Sequence, residues 1–387
     1  MFVESPILLV RLLSMSDRRS INVTRLLGLG LTPGKLRGLQ RICNPNGTLT
    51  MVATDQNSSM MNMMKDALKR EPTYEEIVQA KITLAGALAP HCGGLLVDAY
   101  YGIWNTVASF HMPRETAILV RVEKSGGGKN SVQAPLGGLE PNWSVAKIKR
   151  IGADAVKLLA QFEPTEPDSA EHQFAFVQQV FEECKKHDIL FLLEPLSFPF
   201  GTEKKTDKSY LDRKAQTAIE TAKILSPFCD VYKTEFPGTI GNESDAQLEK
   251  NLAALNAATR RPWVLLSAGV KYPEYKKQVE MAMKHGASGV LGGRAFWTEY
   301  FQQSDQAARE KFATTECVER VKEIDGIVKS KGKPWFAHYG LTMDDLHAMR
   351  ACEYWHYEYS EDGSVTGPMR PHPEKPPGVK TGKDQVY

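Results

Sequence analysis

Through the middle of the chain, short continuous apolar runs alternate with amphipathic stretches. Eight runs read as strands buried on both faces: 49–54 (LTMVAT), 93–98 (GGLLVD), 117–123 (AILVRVE), 153–162 (ADAVKLLAQF), 189–196 (ILFLLEPL), 229–236 (CDVYKTEF), 263–268 (WVLLSA) and 288–293 (SGVLGG). Helical periodicity fills 73–89, 143–151, 172–187, 212–226, 244–258 and 274–286. Thr73 and Glu76 have the spacing of a capping box at the first of these helices. Strand–helix alternation predicts an α/β fold with a parallel sheet. Eight strands in series favour a closed (β/α)8 TIM barrel over an open sheet. No G-x-G-x-x-G opens a helix after the first strand, which removes the best support for a dinucleotide-binding sheet.

The predicted organisation is an N-terminal extension over 1–40, a barrel over 41–332, an aromatic C-terminal element over 333–366 and a flexible tail over 367–387. Trp335, Phe336, Tyr339, Trp355, Tyr357 and Tyr359 are too many large aromatics to stay solvated, so 335–359 is expected to pack on the barrel or on a second subunit. Within it, Thr342 and Asp345 could cap a short helix that places Met343, Leu346 and Met349 three residues apart. This element could lie across either end of the barrel, and over the C-terminal face it would narrow the mouth. The Gly-rich 124–142 reads as a long loop after the third strand. Its GGGK lacks phosphate-loop spacing.

Composition narrows the function. Hydrophobic residues make up 42% of the 387 and charged residues 24%, enough for a sizeable core. The 48 basic and 46 acidic residues give a net charge of +2, so electrostatics supply no case for a nucleic-acid or membrane partner. PILLVRLL at 6–13 is too short to span a bilayer, and no small-residue cleavage site follows it. Arg11, Arg18, Arg19 and Arg25 leave an organellar transit peptide open, as Met15 leaves open a later start. A cytoplasmic location is expected. Cys43, Cys92, Cys184, Cys229, Cys317 and Cys352 form no C-x-x-C pair and read as small buried hydrophobes. The nine histidines include no H-x-H or H-E-x-x-H, so no metal site is expected.

In a barrel the reacting groups sit where strands end. The polar residues there are Asp55 and Gln56, then Asp98, Lys157, Glu194, Lys233 with Glu235, Ser267-Ala268-Gly269 and Gly292-Gly293-Arg294. Lysine inside an apolar strand is rare unless paired. Lys157 and Lys233 fall on alternate strands, whose side chains share interior layers, so each can depress the other's pKa and keep one amine neutral for attack on a carbonyl. A structural ion pair with Glu194 or Asp55 is the competing reading. The leucines around Glu194 predict a raised carboxyl pKa suited to proton transfer. Ser267, Ala268, Gly269, Gly293 and Arg294 follow strands seven and eight, where barrels commonly hold phosphate.

These residues sit in VATDQ (52–56), TYEEIVQAK (73–81), LLVDAYYG (95–102), GADAVKLL (152–159), FLLEP (191–195), DVYKTEFP (230–237), PWVLLSAGV (262–270) and GASGVLGGRAFW (286–297). Together they resemble the tagatose-bisphosphate aldolase family and, equally, its relatives the sulfofructose-phosphate aldolases. The resemblance spans about residues 40–300. It implies a class I aldolase that needs no cofactor. Lys233 would form the Schiff base, Lys157 would be the second lysine, Glu194 would move protons, and Arg294 would hold phosphate. Asp55 and Gln56 match the D-Q that ends the first strand in that family. The next residue is usually arginine there but Asn57 here, which leaves the distal group of the ketose phosphate open between phosphate and sulfonate. A homo-oligomer is expected. A barrel that senses a sugar phosphate without turnover is the rival of a different class, and the intact Lys157, Glu194 and Lys233 set argues against it.

Overall fold

The computed structural model describes residues 21–351, 355–357 and 359–361. Eight parallel strands close into a barrel in sequence order: β1 (Leu49–Ala53), β2 (Gly94–Val97), β3 (Ala117–Arg121), β4 (Ala155–Gln161), β5 (Leu190–Leu196), β6 (Val231–Thr234), β7 (Trp263–Leu265) and β8 (Gly289–Gly292). All eight expected runs supply one strand each. Helices fill the connections, including Tyr74–Leu88, Pro167–Lys186, Lys208–Leu225, Asp245–Ala258 and Tyr272–Lys284. The first begins with the expected capping box, in which Thr73 and Glu76 satisfy one another's backbone N–H groups.

Side-chain parity explains why the strands are apolar throughout. Outward residues such as Val52, Leu95, Val120, Val156, Phe191, Tyr232 and Val290 pack under the helices. Inward residues such as Leu49, Met51, Leu119, Ala155, Leu192, Val231 and Leu291 fill the barrel. Period two then carries Asp55, Arg121, Glu123, Lys157, Glu194 and Lys233 onto the same inward set, one level nearer the C-terminal end.

The opposite end of the barrel is closed by both flanks of the chain. Leu26, Leu31, Leu39 and Ile42, from helices Thr24–Gly28 and Pro33–Ile42 and the link between them, join Trp335, Phe336 and Leu341 beneath the inward strand residues. Gly47, at φ +83°, lies where a Cβ would sit 2.5 Å from the Phe336 ring. Ile21–Asn22 and Met349–Arg350 form a two-stranded parallel pair, and Tyr359 donates to Asp188. The aromatic segment therefore packs on the barrel floor. Cover over the C-terminal mouth is corrected: amphipathicity shows that a face must be buried, but not at which end. The expected capped helix is present as Met343–Ala348, with Thr342 and Asp345 forming the box.

The N-terminal run at 6–13, the arginines before residue 21, Met15, Cys352 and the tail beyond 361 lie outside the described residues. Among the described residues no helix is long and apolar enough to cross a membrane. The five described cysteines are free, and burial pushes the Cys92 and Cys317 thiols up to about 12.

Candidate active site

A cavity of about 360 Å³ opens at the C-terminal end of the strands. Its volume falls in the ~300–1,000 Å³ range of small-molecule sites. Nine of the ten candidate residues line it: Asp55, Gln56, Lys157, Glu194, Lys233, Ser267, Ala268, Gly293 and Arg294. The tenth, Gly269, backs Arg294. A Cβ at Gly269 would meet the guanidinium carbon at 2.9 Å, and its φ of +81° also suits glycine.

At the cavity floor, charges of opposite sign interleave. Lys157 Nζ lies 3.1 Å from Asp55 Oδ2, 2.9 Å from Glu123 Oε1 and 3.0 Å from Glu194 Oε2. The second Glu194 oxygen, Oε1, lies 2.9 Å from Lys233 Nζ. Glu194 thus bridges the two lysines, each of which is nearly fully buried. Arg121 donates to the Asp55 carbonyl at 3.2 Å and to Ser125 Oγ at 2.5 Å.

This lattice reverses two expectations from the sequence. Burial pushes Glu194 upward, but the charges of Lys157 and Lys233 outweigh it and leave the carboxyl below its ordinary value. Burial pulls Lys157 downward, but Asp55, Glu123 and Glu194 outweigh that and raise it above an ordinary lysine. Lys157 is therefore a fixed cation. Asp55 is also buried, which pushes it up, yet Lys157, Lys233 and Arg121 hold it at about 2.

The loops after β7 and β8 are tied together, with Gly293 N–H donating to Ser267 Oγ at 3.2 Å. Ala268 and Gly269 are both left-handed, at φ +47° and +81°. The left-handed region disfavours a non-glycine residue by about 1–2 kcal/mol, so the surrounding structure must hold Ala268 there.

Asp98 serves the scaffold, and Asn57, which also lines the cavity, shares its partner Lys81. Lys81 is buried and donates to the carbonyls of Thr54 and Gln56 at 2.8 and 3.0 Å, to Asn57 Oδ1 at 3.0 Å and to Asp98. Asp98 also accepts from the backbone N–H groups of Tyr100 and Tyr101. Two cavity residues, Arg121 and Glu123, were not singled out in the sequence. Parity alone could have found them, since AILVRVE places Ala117, Leu119, Arg121 and Glu123 on one face. Among the described residues no group of three or more His, Cys, Asp or Glu side chains has the arrangement of a metal site.

The profile of the DeoC/LacD family aldolases matches residues 49–299, the whole barrel from β1 past β8. The chain belongs to the DeoC/LacD aldolase family. Similar members include a tagatose 1,6-diphosphate aldolase of Lactococcus lactis subsp. lactis, 30% identical over 325 residues that cover 79% of this chain and 98% of that protein. The enzyme of the same name from Listeria monocytogenes serotype 4a (strain HCC23) is 29% identical over 343 residues, covering 82% and 98%. Two solved aldolases share the fold. The fructose-bisphosphate aldolase of Plasmodium falciparum, in complex with TRAP and an inhibitor, has a TM-score of 0.60 at 12% identity, covering 78% of this chain and 95% of its own. That of Slackia heliotrinireducens has a TM-score of 0.55 at 16% identity, covering 79% and 90%. A DeoC/LacD aldolase makes or breaks carbon–carbon bonds, and the cavity over Lys157, Glu194 and Lys233 lies within the matched region.

Proposed function

We propose that this chain is a class I aldolase that cleaves a phosphorylated ketose, of the tagatose 1,6-bisphosphate kind, through an imine on Lys233. The observation that carries the reading is Glu194 held between Lys233 at 2.9 Å and Lys157 at 3.0 Å. Lys157 faces three carboxylates and stays charged. Lys233 faces one, so a proton passed to Glu194 leaves a neutral amine in the cavity.

That amine adds to the C2 carbonyl of the ketose. Glu194 then gives its proton to the carbinolamine hydroxyl, which departs as water and leaves an iminium ion. The C4 hydroxyl loses its proton to Glu194, the C3–C4 electron pair moves onto the iminium nitrogen, and a three-carbon aldehyde leaves. Protonation of the enamine at C3 and addition of water release dihydroxyacetone phosphate and restore the amine. Lys157 fixes Glu194 and stabilises its anionic form between steps. Asp55 accepts from a substrate hydroxyl. Arg294, with Ser267, Ala268 and Gly293 around it and Gln56 against Gly293, holds the C1 phosphate.

The test is trapping. Dihydroxyacetone phosphate with borohydride should leave a reduced adduct on Lys233, located by peptide mass, and Lys233→Met should abolish it. An adduct on Lys157 in the unaltered protein would overturn the assignment.

A further inference from the structure

One flank of the barrel gathers exposed aromatic side chains. Tyr100, Trp104, Val107 and Phe110 recur three or four residues apart through helix Ile103–Ala108 and the turns at its ends. Ile103 and Thr106, on the other side of that helix, are buried. The open side shows Tyr100 at 63% exposure, Trp104 at 73% and Phe110 at 95%. Tyr74, half exposed at the start of helix Tyr74–Leu88, extends the face by ring contacts with Tyr100 and Tyr101. Residues 99–113 (AYYGIWNTVASFHMP) contain no Lys, Arg, Asp or Glu, in a chain that is 24% charged. Charged pairs bracket the face, Arg70 with Glu76 beside Tyr74 and Arg114 with Glu115 beyond Phe110. An apolar centre with a charged rim is the anatomy of a protein–protein contact.

The face is held rigidly. The backbone N–H groups of Tyr100 and Tyr101 both donate to Asp98, and Asn105 Nδ2 donates to the Tyr74 hydroxyl at 3.1 Å. Phe110 has φ +58°, a left-handed conformation that costs a residue with a side chain about 1–2 kcal/mol. Its own N–H donates to the Val107 carbonyl, and those of His111 and Met112 donate to the Thr106 carbonyl. The His111 ring lies against Gly86, where a Cβ would come within 2.8 Å of it. The fold therefore fixes an aromatic ring pointing into solvent, where a free monomer gains nothing from it.

We infer that this face joins two copies of the chain about a two-fold axis. Nothing else on the described surface matches it. The other exposed large hydrophobics among the described residues, Val132, Ile151 and Ile224, lie singly on separate elements. A head-to-tail contact would set the aromatic face against polar surface. Only the face against itself pairs apolar with apolar, and a self-complementary patch generates a two-fold axis. Aromatics of ~150–250 Å² each, at these exposures, offer about 500 Å² per copy. Two copies then bury about 1,000 Å² before the charged rim is counted, close to the ~1,200–2,000 Å² of a stable interface. None of these side chains lines the cavity, so the mouth of each barrel stays open.

The full chain is tested by sedimentation velocity and by hydroxyl-radical labelling read by mass spectrometry. It should sediment at an even multiple of the single-chain mass. Trp104 and Phe110 should label weakly in that state, and their labelling should rise several-fold on dilution, in step with dissociation. Trp104→Glu combined with Phe110→Glu should at least halve the sedimenting mass. Val132→Glu combined with Ile224→Glu, the same change elsewhere on the surface, should leave it as it was. The labelling needs no variant, so it decides the matter even if the first double change fails to fold. A single-copy mass at every concentration would overturn the proposal: Trp104 and Phe110 shielded in that monomer would make another segment of the chain the occupant, and both strongly labelled would make the face bare. A multimer that survives the first double change, or one in which Trp104 and Phe110 label strongly, would overturn it as well.

Discussion

In the proposed mechanism Glu194 carries most of the proton transfer, and its replacement separates roles. Glu194→Gln keeps the size and removes the proton carrier. We expect kcat to fall by roughly 10²–10⁴-fold with little change in KM, the usual worth of a positioned acid–base group. A loss under tenfold in steady-state assays would assign proton transfer elsewhere. Arg294→Ala should raise KM by about ten- to hundred-fold, the worth of ~1.5–3 kcal/mol in charged hydrogen bonds, with trapping at Lys233 intact at saturating ligand. Asp55 gives a prediction in pH. Its carboxyl sits at about 2 against an ordinary 3.8, so folding depresses it. The stability it adds is present above the ordinary value and is lost as pH falls through about 2, on the order of 2 kcal/mol in all. Urea melts of the original chain and of Asp55→Asn should converge between about pH 4 and pH 2. Parallel curves would show that Asp55 is not held down by its neighbours. The direction of such shifts was the least legible part of the site. The leucines near Glu194 suggest desolvation alone, and Lys157 suggests only its partner Lys233, whereas the deciding charges come from strands tens of residues away.

Among the elements, the strands were the most readable from the chain, because burial on both faces makes each a continuous apolar run bounded by glycine or a polar residue. A lysine in such a run stands out, as Lys157 and Lys233 do. Glu123 did not, because it ends its run and directly adjoins the Gly-rich loop. Asp98 looked like a site residue because strand ends collect polar groups. Whether such a group faces the cavity or a helix depends on a partner, here Lys81, that sequence spacing does not reveal. The Lys81 and Asp98 pair, nearly fully buried on both sides, predicts a large effect for an element outside the proposed mechanism. Lys81→Met leaves an unpaired buried carboxylate and should cost about 3–5 kcal/mol, seen as a lower urea midpoint at unchanged slope. The exposed Arg70 and Glu76 pair should cost about 0–1 kcal/mol by the same measure. Equal losses from the two would contradict this account.

For the whole molecule, the two ends of the barrel differ: the proposed reacting groups gather at one, and the chain's flanks seal the other. Phe336→Ala should destabilise by about 3–5 kcal/mol, the usual cost of deleting a buried aromatic, without altering KM. A raised KM in a protein of unchanged stability would mean that the segment reaches the mouth after all. Aldolase activity should also survive EDTA, since the proposed chemistry runs on Lys233 and Glu194. Full loss restored by added zinc would sink it.

The seal on the floor has a consequence for how the chain is made. Ile21 and Asn22 pair with Met349 and Arg350, and Arg25 donates to the carbonyl of Gly340 at 3.3 Å across 315 residues. During synthesis every barrel strand has left the ribosome before Trp335, Phe336 and Leu341 can cover the interior leucines. At ~5–20 residues per second, the stretch from β8 to Arg350 takes several seconds, and the unfinished barrel spends them with an apolar opening at its base. Nascent chains stalled just after β8 should therefore bind hydrophobic dyes and chaperones, whereas chains extended past Arg350 should release them.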